Sequence, residues 1–328
     1  MRAALETGAV PLLTVDDLVL DFRTRSGMVH VLDGISLQLQ RGEIFGIVGE
    51  SGSGKSVLAY AIMGLLDPAA RIRRGGIRFA GRQMLTESEQ ALAETRGREI
   101  AMIFQSPRTA LNPIRKVGHQ VQDVLLRHTN VSKKEACRRA VEALARVRIP
   151  DPERRFHAYP FELSGGLCQR VMIAMAMACD PYLLIADEPT TGLDVTTQAV
   201  VMDLIREQVR QAHTSVVLIT HDLALAGEYC DRIAVMHAGH IVESGSTEAM
   251  LTAPRHPYTA RLIGATPGGH ARIDDLAAIP GSLPDLRRDL PPCRFLERCD
   301  HREARCAAEP LPSVAVAPDH SVRCWNPS

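Results

Sequence analysis

"EIFGIVGESGSGKS", residues 43–56, runs from a short apolar stretch straight into a glycine-rich turn closed by a lysine and a serine. From Gly49 to Ser56 it fits the pattern G-x-x-x-x-G-K-[ST]. The context fits too, because "EIFGIVG" reads as a buried strand and "KSVLAYAIMGLL" (55–66) as the helix that follows it. Gly49, Gly52 and Gly54 let backbone amides turn inward on phosphates, and the helix start adds a partial positive charge. Lys55 can reach the β and γ phosphates, and the Ser56 hydroxyl can take a position on Mg²⁺. Glu50, Ser51 and Ser53 complete the expected nucleotide cradle. A glycine turn that binds nothing is the alternative, and the flanking strand and helix argue against it.

Moving outward, "REIAMIF" (98–104), "YLLIADE" (182–188) and "TSVVLIT" (214–220) read as further buried strands. Between the last two, Val201, Leu204, Ile205 and Val209 fall at i, i+3, i+4 and i+8 on one helical face. Short apolar runs alternating with helices predict an α/β fold with a covered, mostly parallel sheet. "LLIADEP" (183–189) ends a strand in two acids, which places Asp187 for the metal and Glu188 for an attacking water. Residues 106–163 are polar, arginine-rich and punctuated by Pro107, Pro113, Pro150, Pro152 and Pro160, and read as an inserted helical lobe. "RIAVMHAGHIVESG" (232–245) reads as a hairpin turning at Ala238 and Gly239, and proline and glycine then thicken from Pro254 into a tail.

The totals exclude several classes. Lysine plus arginine (38) equals aspartate plus glutamate (38), so no bulk field is available to hold a nucleic-acid backbone. The longest strongly apolar run, "VMIAMAMAC" (171–179), is far short of the roughly 18 residues of a spanning helix. "MRAALETGAVPLL" lacks the apolar core of a secretory signal, which predicts a cytosolic chain in which disulfides are disfavoured.

At "LSGGLCQR" (163–170) the sequence resembles the signature of ATP-binding-cassette (ABC) ATPases, usually LSGGQ. The resemblance covers residues 12–250 and its motifs stand in family order: "GESGSGKS", Gln105 of "IFQSP", the signature, "LLIADEP", "TGLD" and His221 of "ITHD". It implies a RecA-like covered sheet with an antiparallel β part and an inserted helical subdomain. It also implies two cassettes paired head to tail, each ATP lying between one phosphate loop and the other subunit's Ser164, Gly165 and Gly166. Glu188 would be the general base, and His221 would steady the γ phosphate and the water. Asp187, Ser56 and Gln105 would arrange Mg²⁺, and Asp194 would sit at the dimer seam. Phe22, ending the first strand, is placed to stack on adenine, with a core or edge role as its alternative. Leu167 departs from the family's glutamine, a change that oligopeptide-type members tolerate.

"PRHPYTARLIGATP" (254–267) resembles the segment that follows the cassette in oligopeptide and dipeptide importers, a branch that includes nickel and glutathione systems. The implied partners are a second, different ATPase, two integral-membrane permeases and an external solute-binding protein, at the cytoplasmic face of the bacterial inner membrane, with no nucleic acid. The implied domains are 1–253, with the helical subdomain at about 106–163, and a C-terminal extension, 254–328. Cys293, Cys299, Cys306 and Cys324, separated by five, six and seventeen residues, make a soft four-thiolate set suited to zinc or an iron–sulfur cluster. Spacing does not choose between them; resemblance to cysteine-rich tails of peptide-importer ATPases implies [4Fe-4S]. A soluble ABC ATPase acting on DNA or ribosomes is the rival reading. It is disfavoured because only about 110 residues separate phosphate loop and signature and one cassette is present. An exporter ATPase, which would usually lack both "HPYT" and the cysteine tail, is the third.

Overall fold

The leucine- and valine-rich stretch from Leu13 to Leu20 folds as part of a long first strand, β1 (Leu13–Thr24), which pairs antiparallel with β2 (Gly27–Leu39). Together they open a computed structural model that describes residues 10–266 and 279–327. Residues 1–9 of "MRAALETGAVPLL", and Pro267 at the end of "PRHPYTARLIGATP", lie outside the described residues. The chain divides into two compact units, one formed by Met1–Thr86 with Leu218–Ser328 and the other by Glu87–Val217.

In the first unit the chain passes from β2 into β3 (Ile44–Val48), turns through the glycine loop into α1 (Lys55–Met63), and returns as β4 (Ala70–Phe79) and β5 (Arg82–Gln83). The four-stranded sheet has the order β2-β1-β4-β5, with bulges in β1 that bend it. Gly64, at φ 64°, ends α1 in the left-handed region, which glycine adopts without Cβ strain.

The second unit begins with α2 (Glu89–Thr95) and β6 (Ile100–Ile103). Then comes the helical run expected at 106–163: α3 (Pro107–Ala110), α4 (Val117–His128), α5 (Lys133–Arg146) and α6 (Pro152–Phe156). The prolines open α3 and α6, where a missing N–H costs nothing. Ser132 starts α5 by accepting the Glu135 N–H. Apolar stripes pack α4 and α5, burying Val121, Leu125, Ala140 and Leu144. After α7 (Gly165–Met177), strand β7 (Leu183–Asp187) pairs parallel with β6, both fully buried as a covered sheet requires. Helix α8 (Val195–Ala212) then leads into β8 (Ser215–Thr220), along which the chain re-enters the first unit.

There α9 (Leu223–Tyr229) precedes the predicted hairpin, β9 (Arg232–His237) and β10 (His240–Ser246). Its two turn residues both have positive φ, 46° at Ala238 and 83° at Gly239, as a right-twisted two-residue hairpin needs. Next come α10 (Thr247–Thr252), α11 (Pro257–Gly264) and α12 (Ala304–Ala308), then β11 (Ser313–Ala317) and β12 (His320–Arg323). β9 lies parallel to β3, and the tail extends this sheet to give the order β11-β12-β10-β9-β3. The tail in which proline and glycine thicken therefore contributes two strands. Five- and four-residue strands carry too few periods of alternation to register in a sequence. Among the described residues no helix is long and apolar enough to cross a membrane.

Candidate functional site

The sequence-selected residues fall in both units. The first holds Phe22, the glycine loop with Lys55 and Ser56, and His221. The second holds Gln105, the signature, Asp187, Glu188 and Asp194.

In the first unit, β3 delivers the loop and α1 receives it. A Cβ on Gly49 would stand 2.1 Å from the Met236 carbonyl oxygen, so β9 packs against the loop at a distance only glycine permits. Gly54, at φ 101°, lies so close to Leu32 and the Val31 carbonyl that a methyl would meet them at 2.9 and 3.0 Å. The loop is thus fixed from outside. Lys55 is buried, and its ammonium donates to the Gly49 and Glu50 carbonyls at 2.7 and 2.9 Å, which aims the cation along the inside of the loop. The buried Ser53 hydroxyl has no partner among the described residues. Ser51 and Gly52 are exposed, and Ser56 is half-buried in the first turn of α1. Phe22 is half-buried in β1, opposite Val29 and Ala70. His221 is exposed, just past β8.

Glu50, expected among the cradle residues, has partners that no motif announces. Its backbone N–H donates to the Tyr258 hydroxyl at 3.2 Å. Its carboxylate takes two parallel bonds from the Arg298 guanidinium, at 2.8 and 2.9 Å. Both partners come from the C-terminal region.

In the second unit, Asp187 ends β7 and is buried. Glu188 follows it at φ 46°, a left-handed conformation that a non-glycine residue adopts only where its surroundings hold it. Its Oε2 accepts from the Gln105 amide at 2.7 Å and from the Thr191 hydroxyl at 2.9 Å. Gln105 and Glu188, 83 residues apart, are therefore joined directly, and Thr191 is a contact that motif reading missed. Ser164 caps α7 by accepting the Leu167 N–H at 3.3 Å. Asp194 caps α8, accepting from the Thr197 N–H and hydroxyl at 3.0 and 2.7 Å; these bonds hold its carboxyl below the usual range. Gln105, Ser164, Gly165, Gly166, Leu167 and Asp194 line one open groove. Two helix N-termini, those of α7 and α8, open at this groove, and each carries partial positive charge suited to phosphate oxygens.

The four tail cysteines, all free thiols, line one small cavity in the first unit with Phe295 and Trp325. Among the described residues, no three of His, Cys, Asp or Glu stand close enough to share one metal ion. Three of the sulfurs instead accept backbone N–H groups two residues downstream, Cys293 from Phe295, Cys299 from His301 and Cys324 from Asn326. Burial pushes the Cys293 thiol up to about 11 and raises Cys299 and Cys324 as well. A thiolate set here therefore requires a compensating cation.

Residues 32–191 match the family described as ABC transporter, and residues 242–306 match the oligopeptide/dipeptide transporter C-terminal region. The probable D,D-dipeptide transport ATP-binding protein DdpD of Escherichia coli (strain K12) is 45% identical over 320 residues, covering 97% of each chain. The oligopeptide transport ATP-binding protein OppD of Bacillus subtilis (strain 168) is 45% identical over 316 residues, covering 96% of this chain and 88% of that one. Among solved structures, the dimeric post-hydrolysis state of the ATP-binding cassette MJ0796 bound to ADP and Pi superposes with a TM-score of 0.65 at 26% identity, covering 72% of this chain and 98% of that one. Likeness of this extent, at both ends of the chain, places it: the protein belongs to the ATP-binding proteins of ABC transporters, in the oligopeptide/dipeptide branch.

Proposed function

We propose that this chain is the ATP-hydrolysing subunit of a bacterial importer of di- or oligopeptides. The observation that carries the reading is the match of residues 242–306 to the oligopeptide/dipeptide transporter C-terminal region, behind the match of residues 32–191 to the ABC transporter family. Relatives named for D,D-dipeptide and oligopeptide transport, alike along almost the whole chain, support the same cargo class.

In this reading Lys55 and the loop amides hold the β and γ phosphates. Ser56, Gln105 and Asp187 would hold Mg²⁺, which when bound would supply neutralisation of the charge that develops on the phosphates. Glu188, oriented by Gln105 and Thr191, takes the proton of the attacking water. His221 steadies the γ phosphate, and Phe22 stacks on adenine. The groove lined by Ser164, Gly165, Gly166 and Asp194 receives the nucleotide of a second, homologous ATPase, a pairing that the dimeric MJ0796 structures support by analogy. Two integral-membrane permeases dock on the helical lobe at the cytoplasmic face of the inner membrane, and an external solute-binding protein brings the peptide. The sequence organisation is a cassette, 1–253, with its helical subdomain at about 106–163, and an extension, 254–328. Deleting the gene should abolish uptake of labelled di- and oligopeptides, with restoration by the wild-type gene but not by E188Q. Unchanged uptake in the deletion strain would rule the reading out.

Cys293, Cys299, Cys306 and Cys324 are proposed to hold an iron–sulfur cluster of the [4Fe-4S] type. Such a cluster takes one thiolate per iron rather than several on one ion, and hydrogen bonds to the sulfurs tune its reduction potential. Zinc is the alternative occupant of the same four thiolates. Anaerobically purified protein should be brown and contain close to four iron and four sulfide per chain, with loss of both in C306S. Colourless protein with one zinc per chain would reject the assignment.

A further inference from the structure

The phosphate loop of this protein is finished by residues more than two hundred positions away in its own C-terminal tail. Arg298 is buried, its side chain 6% exposed, and all three guanidinium nitrogens are used. Nε donates to the Pro280 carbonyl at 2.8 Å, and the two terminal nitrogens form the paired bonds to the Glu50 carboxylate. The guanidinium also lies 5.7 Å from the centre of the Phe295 ring, so it is held on a fixed platform. Tyr258 is fully buried between His237 and Phe295, at ring distances of 4.5 and 5.3 Å, which leaves its hydroxyl only the direction it takes, toward the Glu50 N–H. At the loop apex a methyl on Gly52 would touch the Leu283 side chain at 3.5 Å. Two further arginines of the tail anchor it nearby: Arg294 binds Asp33 and the Ala238 carbonyl, and Arg323 the Asp33 carbonyl.

We infer that Arg298 and Tyr258 are positioning residues for nucleotide binding, the arginine neutralising Glu50 and drawing its carboxylate to the tail side of the loop, and the tyrosine fixing the Glu50 amide. The electrostatic reason is direct. A carboxylate next to the Lys55 cradle opposes a polyphosphate, and at close range in a partly buried site that repulsion is large. A bidentate guanidinium cancels it and fixes the carboxylate's position, which a lysine at 298 would do less well. The inference rests on the loop binding nucleotide, as proposed above.

The test uses the full chain and the fluorescent nucleotide mant-ADP with Mg²⁺, followed by steady-state ATPase rates. R298M should weaken mant-ADP binding about tenfold and raise KM for ATP by a similar factor, with kcat changed less than threefold. The double variant E50Q/R298M, which removes the uncompensated charge, should bind several-fold more tightly than R298M. Y258F, which deletes only the hydroxyl, should weaken binding about threefold, and it decides the matter if R298M does not fold. Wild-type affinity in both R298M and Y258F overturns the inference. So does a double variant as weak as R298M, because Arg298 would then act only by holding the tail together. A wild-type chain that does not bind mant-ADP would instead overturn the ATP-site reading, and this inference with it.

Discussion

Glu188 combines a strained backbone with a fixed side chain. Its φ of 46° is imposed by the strand end before it and the turn after it, and two donors converge on one carboxylate oxygen. A base held in this way does not search for its water, so removing its charge should affect chemistry far more than binding. E188Q keeps the shape and should lower ATP hydrolysis by roughly 10²- to 10⁴-fold while ATP binding persists, measured as phosphate release against mant-ATP affinity. Turnover near wild type would remove Glu188 from the role of base. T191A leaves the Gln105 bond in place and should give a much smaller loss of kcat, within about tenfold. The motif was legible in the sequence because its acids end a strand; the Thr191 contact was not, because it depends on how the following turn closes.

Helices α4 and α6 meet at a point set by one missing atom. A Cβ on Gly118 would stand 2.1 Å from the Phe156 ring and 2.7 Å from the Phe156 Cα, and the ring is flanked by His119 and His157, so it has little room to yield. G118A must therefore push the two helices apart. We expect a loss of about 1–3 kcal/mol in the urea unfolding of the purified chain, with a lowered thermal midpoint. An unchanged midpoint would mean that the ring swings aside. Proline punctuation and the polar pattern announce this helical lobe in the sequence, but not which glycine is a contact.

At the scale of the whole molecule, three of the buried histidines of the first unit are held uncharged. Burial lowers His237 and His240 to about 4 and His256 to about 3. His256 shows what protonation would break, since its Nδ1 accepts the Tyr258 N–H at 3.0 Å and so starts α11. These folded-state values lie below the roughly 6.5 of an unfolded histidine, so the unfolded chain binds more protons between those limits. Stability is thus full above about pH 6.5 and is lost as pH falls toward about 4, by as much as about 1.4 kcal/mol per pH unit for each ring. Unfolding midpoints measured from pH 8 to 4.5 should be flat and then drop. H237F should reduce the slope of the drop by about one proton, and an identical slope would show that this ring does not titrate on unfolding.

The covered strands, the helical lobe, the phosphate loop, the signature and the carboxylate pair were all legible in local pattern, because period, glycine placement and residue chemistry act over a few positions and leave their trace there. The tail's part in the molecule left no such trace. Glu243 is fully buried, and its carboxylate accepts the N–H groups of Arg255 and His256 and pairs with His320, tying β10 to the start of α11 and to β12. Arg298 reaches Glu50 across 248 positions. Contacts of this kind are chosen by where the folded chain brings buried charges together, since a buried carboxylate must find a partner in space, and the sequence records the charges but not their meeting.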